Sequence, residues 1–544
     1  MILLRTLAVL LTASLVLAGC AGGQAGSGRF DTKAQEEFAA AVYQAMQDRA
    51  LNGRLPPNTT ATQVTIGIGL QVLSDLHLAP RETFEMVVAG FANLARKEPA
   101  FHFTIGDRDI EVSSRGKRLH RFALPPDRAF PDWGLEVDKS IQEYLKQRPG
   151  SGGLSSDALY DAFLEGVASA FGPLTHYATR EDVRIQERFL TGDLADVGLG
   201  TEVTDVGAVI LAILDVDLLD DPLLKQGNTI VSIDGQDIRG LDWITVEELF
   251  IGPVGSSATL GIQEAGKDSS ASVTVGRIAM GAPSLRSRRI GDQLIVEIVR
   301  FDRGTAIELI DTLRQASQNG PEEVTGVILD FRNNPQGQLD SGIAIADIFL
   351  EDGKVVSTWG RHESTRKVFE ARANAATNRL PVIVLIGEKT QGVPEVVAAA
   401  LQDLERALVV GQASHGSGPI SGGLRLANGG AFNFPIAEIF AASGYRLNTR
   451  GVMPTVCTSG AETAEAVIDG LRRERRMTDR TTRTRDIDPA DAAEIAAFHA
   501  LCPARSGGRD IDLAVAQALL EDAALYAEIL SASNLPGQSA ARLP

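Results

Sequence analysis

Side chains able to attack a carbonyl, or to take the proton of an attacking hydroxyl, gather in one stretch of the sequence: Lys389, Thr390, Ser414, His415 and Ser417. Thr390 and His415 stand 25 residues apart, and a threonine hydroxyl that passes its proton to an imidazole is a nucleophile for acyl transfer. Such a couple also needs N–H groups from a helix start to hold the oxyanion, and a carboxylate to orient the imidazole. Thr390 lies ahead of the helix expected from residue 395, and no carboxylate is evident for His415. Lys389, Ser414 and Ser417 therefore read as ordinary loop residues, and Thr390/His415 as an alternative site only. Seven histidines with no Cys/His cluster give no metal site, and no cofactor is expected.

The elements that must position this stretch are visible in the pattern. Residues 324–330 form a largely apolar, β-branched run suited to a buried parallel strand, followed by the turn 332–337 and a helix from about Leu339. The form recurs with a strand over 382–386, a loop over 387–394 and a helix over 395–406, then a strand over 408–411. Alternation of this kind predicts an α/β layer structure. Upstream, Phe38, Val42 and Met46 predict an amphipathic helix over 32–51, and residues 156–171 are helical in pattern. Residues 64–122 mix helical and strand-like runs and receive no assignment. Arg148 to Gly153 reads as a linker, combining a proline with several glycines.

The N-terminus carries an address. Arg5 precedes an uncharged apolar run over 6–18, shorter than the about 20 residues a spanning helix needs and ending in small residues, as at a processing site. Leu17-Ala18-Gly19-Cys20 resembles the lipobox of bacterial lipoproteins. That implies removal of residues 1–19, acylation of Cys20 and, with Ala21 following, the outer membrane facing the periplasm; residues 24–28 read as a flexible tether. Cys457 and Cys502 remain, and an oxidising compartment would favour their pairing, which the sequence leaves open.

Lys+Arg 52 against Asp+Glu 70 gives a net charge of −18, which argues against nucleic acid as a partner. The exception is local. Seven arginines crowd residues 471–486: Arg472, Arg473, Arg475, Arg476, Arg480, Arg483 and Arg485. They read first as a solvated helix end and loop, and second as a contact for lipid head groups or an acidic partner.

From Gly198 the texture becomes short β-rich runs broken by Gly and Asp. Gly198-Leu199-Gly200, with the run from Leu224 to Gly235, resembles a PDZ domain, with Asn228 standing where that family usually has Asp. In such domains the loop corresponding to Gly198, Leu199 and Gly200 holds a peptide carboxylate on backbone N–H groups while the peptide adds a strand to the sheet edge. Residues 324–337, together with Phe171-Gly172-Pro173, Tyr177 and Gly451-Val452-Met453-Pro454, resemble the tail-specific, or C-terminal processing, serine peptidases. The likeness runs from about Ser156 to Val456; beyond it, Asp510 to Ala516 resembles that family's short final helix. It implies a crotonase-like α/β core, a preceding PDZ-like β-rich domain and a mainly helical N-terminal region. The expected division is 1–19 signal peptide, 20–30 anchor and tether, 31–150 accessory region, 151–197 helical segment, 198–280 PDZ-like domain, 281–457 peptidase-like core and 458–544 C-terminal extension.

The family attacks with a serine at a helix start, a lysine 25 residues later and a glutamine four beyond. Those positions fall on Gly392, Ser417 and Ser421, and Gln336 replaces a glycine of the oxyanion region. Loss of the nucleophile alone in a comparable enzyme costs on the order of 10⁶ in kcat. The resemblance therefore implies a pseudopeptidase whose partners are protein C-terminal peptides or envelope proteins. The alternatives are an active enzyme rebuilt on Thr390/His415, and a structural envelope protein.

Overall fold

The computed structural model describes residues 60–148, 153–190, 194–241, 243–267, 269–278, 283–302, 304–318, 323–334, 337–372, 380–416, 418–504 and 510–532. Cys20, the expected leader, tether and helix over 32–51, Gln336 and Ser417 lie outside them. The chain divides into two compact units: the described residues up to 187 with 359–366 and 419–437, and the described remainder.

In the first unit, α1 (Ala61–Leu76), α2 (Thr83–Lys97), a three-stranded antiparallel meander of β1 (His102–Ile105), β2 (Asp109–Ser114) and β3 (Lys117–Ala123), α3 (Phe130–Gln147) and α4 (Ser156–Ser169) share one core. Helices α1 and α2 and the meander fill the stretch the sequence left unassigned, and α4 falls where the pattern is helical. Side chains cap the helices: Thr60 and Gln63 cap α1 reciprocally, and Ser155 accepts from Ala158 N–H at the start of α4. Helices α2 and α4 approach closely because Gly166 has no side chain; a Cβ there would lie 2.5 Å from the Ala89 carbonyl. Buried carboxylates knit the unit. Asp138 accepts from Gln63 at 2.8 Å and Tyr160 at 2.5 Å, and Glu98 accepts from Tyr144 at 2.9 Å and Leu154 N–H at 2.8 Å. The expected boundary at residue 150 is thus corrected: helices on both sides of it bury the same core. Short β4 (His176–Ala178) pairs with residues 431–433, and Tyr177 donates to Asp161 at 2.8 Å while accepting from Asn428 at 2.7 Å.

The second unit opens with an antiparallel sheet of β5 (Leu199–Thr204), β6 (Gly207–Ile213), β7 (Thr229–Ile233), β8 (Ser257–Gln263) and β9 (Ser270–Gly276), in the order β9-β8-β7-β6-β5. Helix α5 (Trp243–Phe250) packs against β5, the edge strand. Asn228, buried, donates to the Leu223 carbonyl at 2.9 Å and accepts from Ala265 N–H at 3.1 Å. Aspartate could not make the first of these bonds, which accounts for the amide at this position.

A second sheet follows, of β10 (Leu285–Ile290), β11 (Gln293–Ile298), β12 (Gly326–Asp330), β13 (Val382–Ile386), β14 (Leu408–Gly411) and β15 (Val456–Cys457), in that order. All pairs after β10 are parallel. Strands β12, β13 and β14 are buried at every residue, as apolar strands covered on both faces must be. Helices α6 (Thr305–Gln318), α7 (Leu339–Phe349) and α8 (Val393–Asp403) connect them. The C-terminal extension supplies α9 (Ala464–Glu474), α10 (Arg480–Thr484), α11 (Ala492–His499), α12 (Ile511–Glu521) and α13 (Ala523–Ala532), of which α9, α12 and α13 cover Ile328, Ile383 and Val410.

Cys457 and Cys502 are joined in a disulfide, which ties the loop after α11 to β15. The arginine-rich stretch is engaged within the chain. Arg472 pairs with Asp522 and Arg475 with Glu528, each at 2.7 Å, and Arg480 with Glu405 at 3.1 Å. Arg473, Arg476 and Arg485 meet Asp469, Glu474 and Glu494, and Arg483 is buried. The other six arginines thus have carboxylate partners within the chain, while Arg473, Arg475 and Arg476 stay largely exposed.

Candidate functional site

The loop between β13 and α8 is built around a glycine corner. Gly392 caps α8 with φ 81° and ψ −127°, a conformation essentially confined to glycine. Its N–H donates at 2.8 Å to Glu395, one turn into the helix. Glu395 is fully buried, and its other oxygen accepts from the Ser414 hydroxyl at 2.5 Å and Gly416 N–H at 2.7 Å. Ser414 in turn accepts from Val452 N–H at 2.7 Å. One carboxylate therefore fastens the helix start to the loop after β14, and that loop to residues 449–452. The approach is close: a Cβ on Gly416 would lie 2.3 Å from the Thr449 carbonyl.

Thr390 is likewise committed. Its hydroxyl donates to the Phe331 carbonyl and accepts from Gly387 N–H, both at 2.9 Å, and the side chain is wholly buried. His415 meets it only through the backbone, donating N–H to the Thr390 carbonyl at 3.0 Å, while the His415 side chain is exposed. The two residues are brought together as chain segments and not as a nucleophile and base. Lys389 is exposed, and Ser421 is an exposed strand residue of the first unit.

The turn after β12 is held by a charge network the sequence did not announce. Arg332 donates to Asp330 at 2.6 Å and 2.9 Å and to Asp510 at 2.5 Å and 3.0 Å. Those carboxylates hold its guanidinium far above its ordinary pKa against the opposing effect of burial. Asp512, beside it, accepts from Thr458 at 2.5 Å and Gln412 at 3.0 Å. Asn334, also buried, donates to the Ile298 carbonyl at 3.0 Å and accepts from Gln391 N–H at 3.0 Å. The segment resembling the family's final helix thus docks on the turn resembling its first.

At the start of the antiparallel sheet, Gly198 has φ +66° and presses on Asp215; a Cβ there would lie 2.7 Å from that residue's Cβ. Gly198 N–H donates to Asp196 at 2.6 Å, and its carbonyl accepts from Leu214 N–H at 2.8 Å. Leu199 is buried and Gly200 half-buried, and the outer edge of β5 has no partner strand among the described residues. Asp196 went unnoticed in the sequence, although Asp two residues before Gly is the signature of a side-chain-closed turn.

Residues 292–458 match the model of Peptidase family S41. The chain is 29% identical over 303 residues to the carboxy-terminal-processing protease of Bartonella bacilliformis, covering 55% of this chain and 69% of that protein. It is 24% identical over 468 residues to carboxyl-terminal-processing peptidase 3, chloroplastic, of Arabidopsis thaliana, covering 82% and 84%. The solved photosystem II D1 C-terminal processing protease shares its fold, with TM-score 0.52 and 17% identity over 74% of this chain and 95% of that one.

Proposed function

We propose, from the premise that the core of this chain belongs to the tail-specific, or C-terminal processing, serine peptidase family, that the protein is an exported lipoprotein which binds C-terminal tails without cleaving them. The observation that carries this is Gly392. At the helix start where the resemblance puts a nucleophilic serine there is no side chain, and the backbone conformation suits glycine. The helix-start N–H of that residue is already taken by Glu395. Among the described residues, the Thr390 hydroxyl is spent on backbone groups and the His415 side chain faces outward, which supports the reading that these two do not form a replacement nucleophile and base.

Binding asks less of side chains than catalysis does. Strand addition needs a sheet edge and a loop of N–H groups, and β5 beside α5 supplies the edge. The proposal therefore keeps recognition and drops hydrolysis. The full chain in detergent should bind peptides ending in a free carboxylate, measured by fluorescence anisotropy, and mass spectrometry should find them uncut after prolonged incubation. Cleavage abolished by Thr390→Ala or His415→Ala would overturn the proposal in favour of a rebuilt enzyme. The anchor is tested separately: Cys20→Ala should abolish incorporation of labelled fatty acid and release the protein from the membrane fraction, and retention of the label would refute it.

A further inference from the structure

The loop that would receive a tail's carboxylate is backed by carboxylates of the chain itself. Asp196, half-buried, occupies the Gly198 N–H at 2.6 Å, and Asp215, buried, lies against the other side of the same glycine. The strand register directs Gly200 N–H to the next strand and leaves Leu199 N–H facing outward; successive Cα atoms are about 3.8 Å apart, so a carboxylate held on Leu199 N–H comes within roughly 4–8 Å of Asp196. The surroundings share this sign: residues 194–226 carry seven carboxylates and one lysine, with Glu202 and Asp205 exposed on or beside the edge strand. Arg300, whose charge acts on Asp196, is engaged with the Leu214 carbonyl and with Asp302 at 3.4 Å. Asp220 is met by Arg286 at 2.9 Å.

Resting on the tail-binding reading, we infer that this site selects tails that are basic just before their end. A bare terminal carboxylate enters a field of its own sign, and a Lys or Arg one or two residues upstream, lying along β5, offsets that field. Like charges at these separations, partly screened, weaken binding by about three- to tenfold, so the charge of the tail decides between ligands of equal shape. The net charge of −18 on the whole chain steers encounter in the same direction. Burial, and Asp215 nearby, push the Asp196 carboxyl above the usual carboxylate range while Gly198 N–H and Arg300 pull it down, consistent with a crowded anionic corner.

The test uses the full chain in detergent and three labelled peptides with the same apolar final residue, differing only in having two Lys, two Ser or two Glu before it. At low salt the Lys peptide should bind about tenfold more tightly than the Glu peptide, with the Ser peptide between them, and the spread should shrink at high salt. Asp196→Asn keeps an oxygen to accept from Gly198 N–H and removes the charge; it should narrow the spread by about threefold, mainly by improving the Glu and Ser peptides. Equal affinities in the wild type, or a spread untouched by Asp196→Asn, would overturn the inference while leaving tail binding intact. Failure of all three peptides to bind overturns tail binding itself, and the inference with it.

Discussion

Two glycine corners of the second unit are alike in form and opposite in consequence. At each, a glycine with positive φ opens a regular element, and its N–H is closed by a carboxylate of a near neighbour: Gly392 by Glu395 at the head of α8, and Gly198 by Asp196 at the head of β5. The first is sealed. Glu395 is fully buried and accepts from three donors drawn from two segments, the helix start and the loop after β14. The second is less enclosed: Asp196 is half-buried and bridged through its backbone to Ile278, and the outer edge of β5 that follows has no partner strand among the described residues. Hydrolysis depends on particular side chains and does not survive their replacement, whereas strand addition depends on backbone groups and survives wherever an edge remains exposed.

The contrast breaks most readily at Glu395. Glu395→Ala strands Gly392 N–H, Gly416 N–H and the Ser414 hydroxyl in the interior, and an unsatisfied buried donor costs about 1–3 kcal/mol. The loss should be about 3–6 kcal/mol, read as a fall in the denaturation midpoint of the second unit; a shift under about 1 kcal/mol would mean this carboxylate does not hold the corner closed. Gly392→Ser comes next. A side chain in that backbone region costs on the order of 1–3 kcal/mol, and the new hydroxyl meets no lysine at the matching position, Ser417. Weaker stability with no peptide turnover is expected. Turnover appearing on this single change would show that Ser417 and Ser421 do not by themselves preclude cleavage.

What could be read beforehand divides along the same line. The strands at 326–330, 382–386 and 408–411 were legible because parallel strands covered on both faces are unbroken apolar runs, and so was the place of Gly392 at a helix start. The three-stranded meander was not, because its strands are half-exposed and polar; Lys117–Ala123 buries a single residue. Nor could the sequence reveal that residues 419–437, Ser421 among them, join the first unit, since that follows from pairing across more than two hundred residues, as between Phe432 and Tyr177. Glu395 was visible as a helix residue, but its bonds to Ser414 and Gly416 span 19 and 21 residues and leave no local trace. Asp196 was the legible signal passed over, an acceptor two residues from the glycine it closes.

The smallest effects draw the sharpest line between the corners, because matched substitutions remove charge and little else. Glu395→Gln leaves one carbonyl oxygen where two carboxylate oxygens served three donors, and turns an NH₂ group toward at least one of them. One lost and one opposed bond should cost about 1–3 kcal/mol. Asp196→Asn has one donor to satisfy, Gly198 N–H, and the amide oxygen can still do so while the NH₂ group turns toward water. Its cost should be under about 0.5 kcal/mol, the range of substitutions outside the core. Asp196→Asn should instead appear in peptide affinity, which a carboxylate kept only for folding would leave unmoved. If Asp196→Asn destabilises as much as Glu395→Gln, then both carboxylates are rivets, the second corner is as closed as the first, and the proposed difference between them disappears.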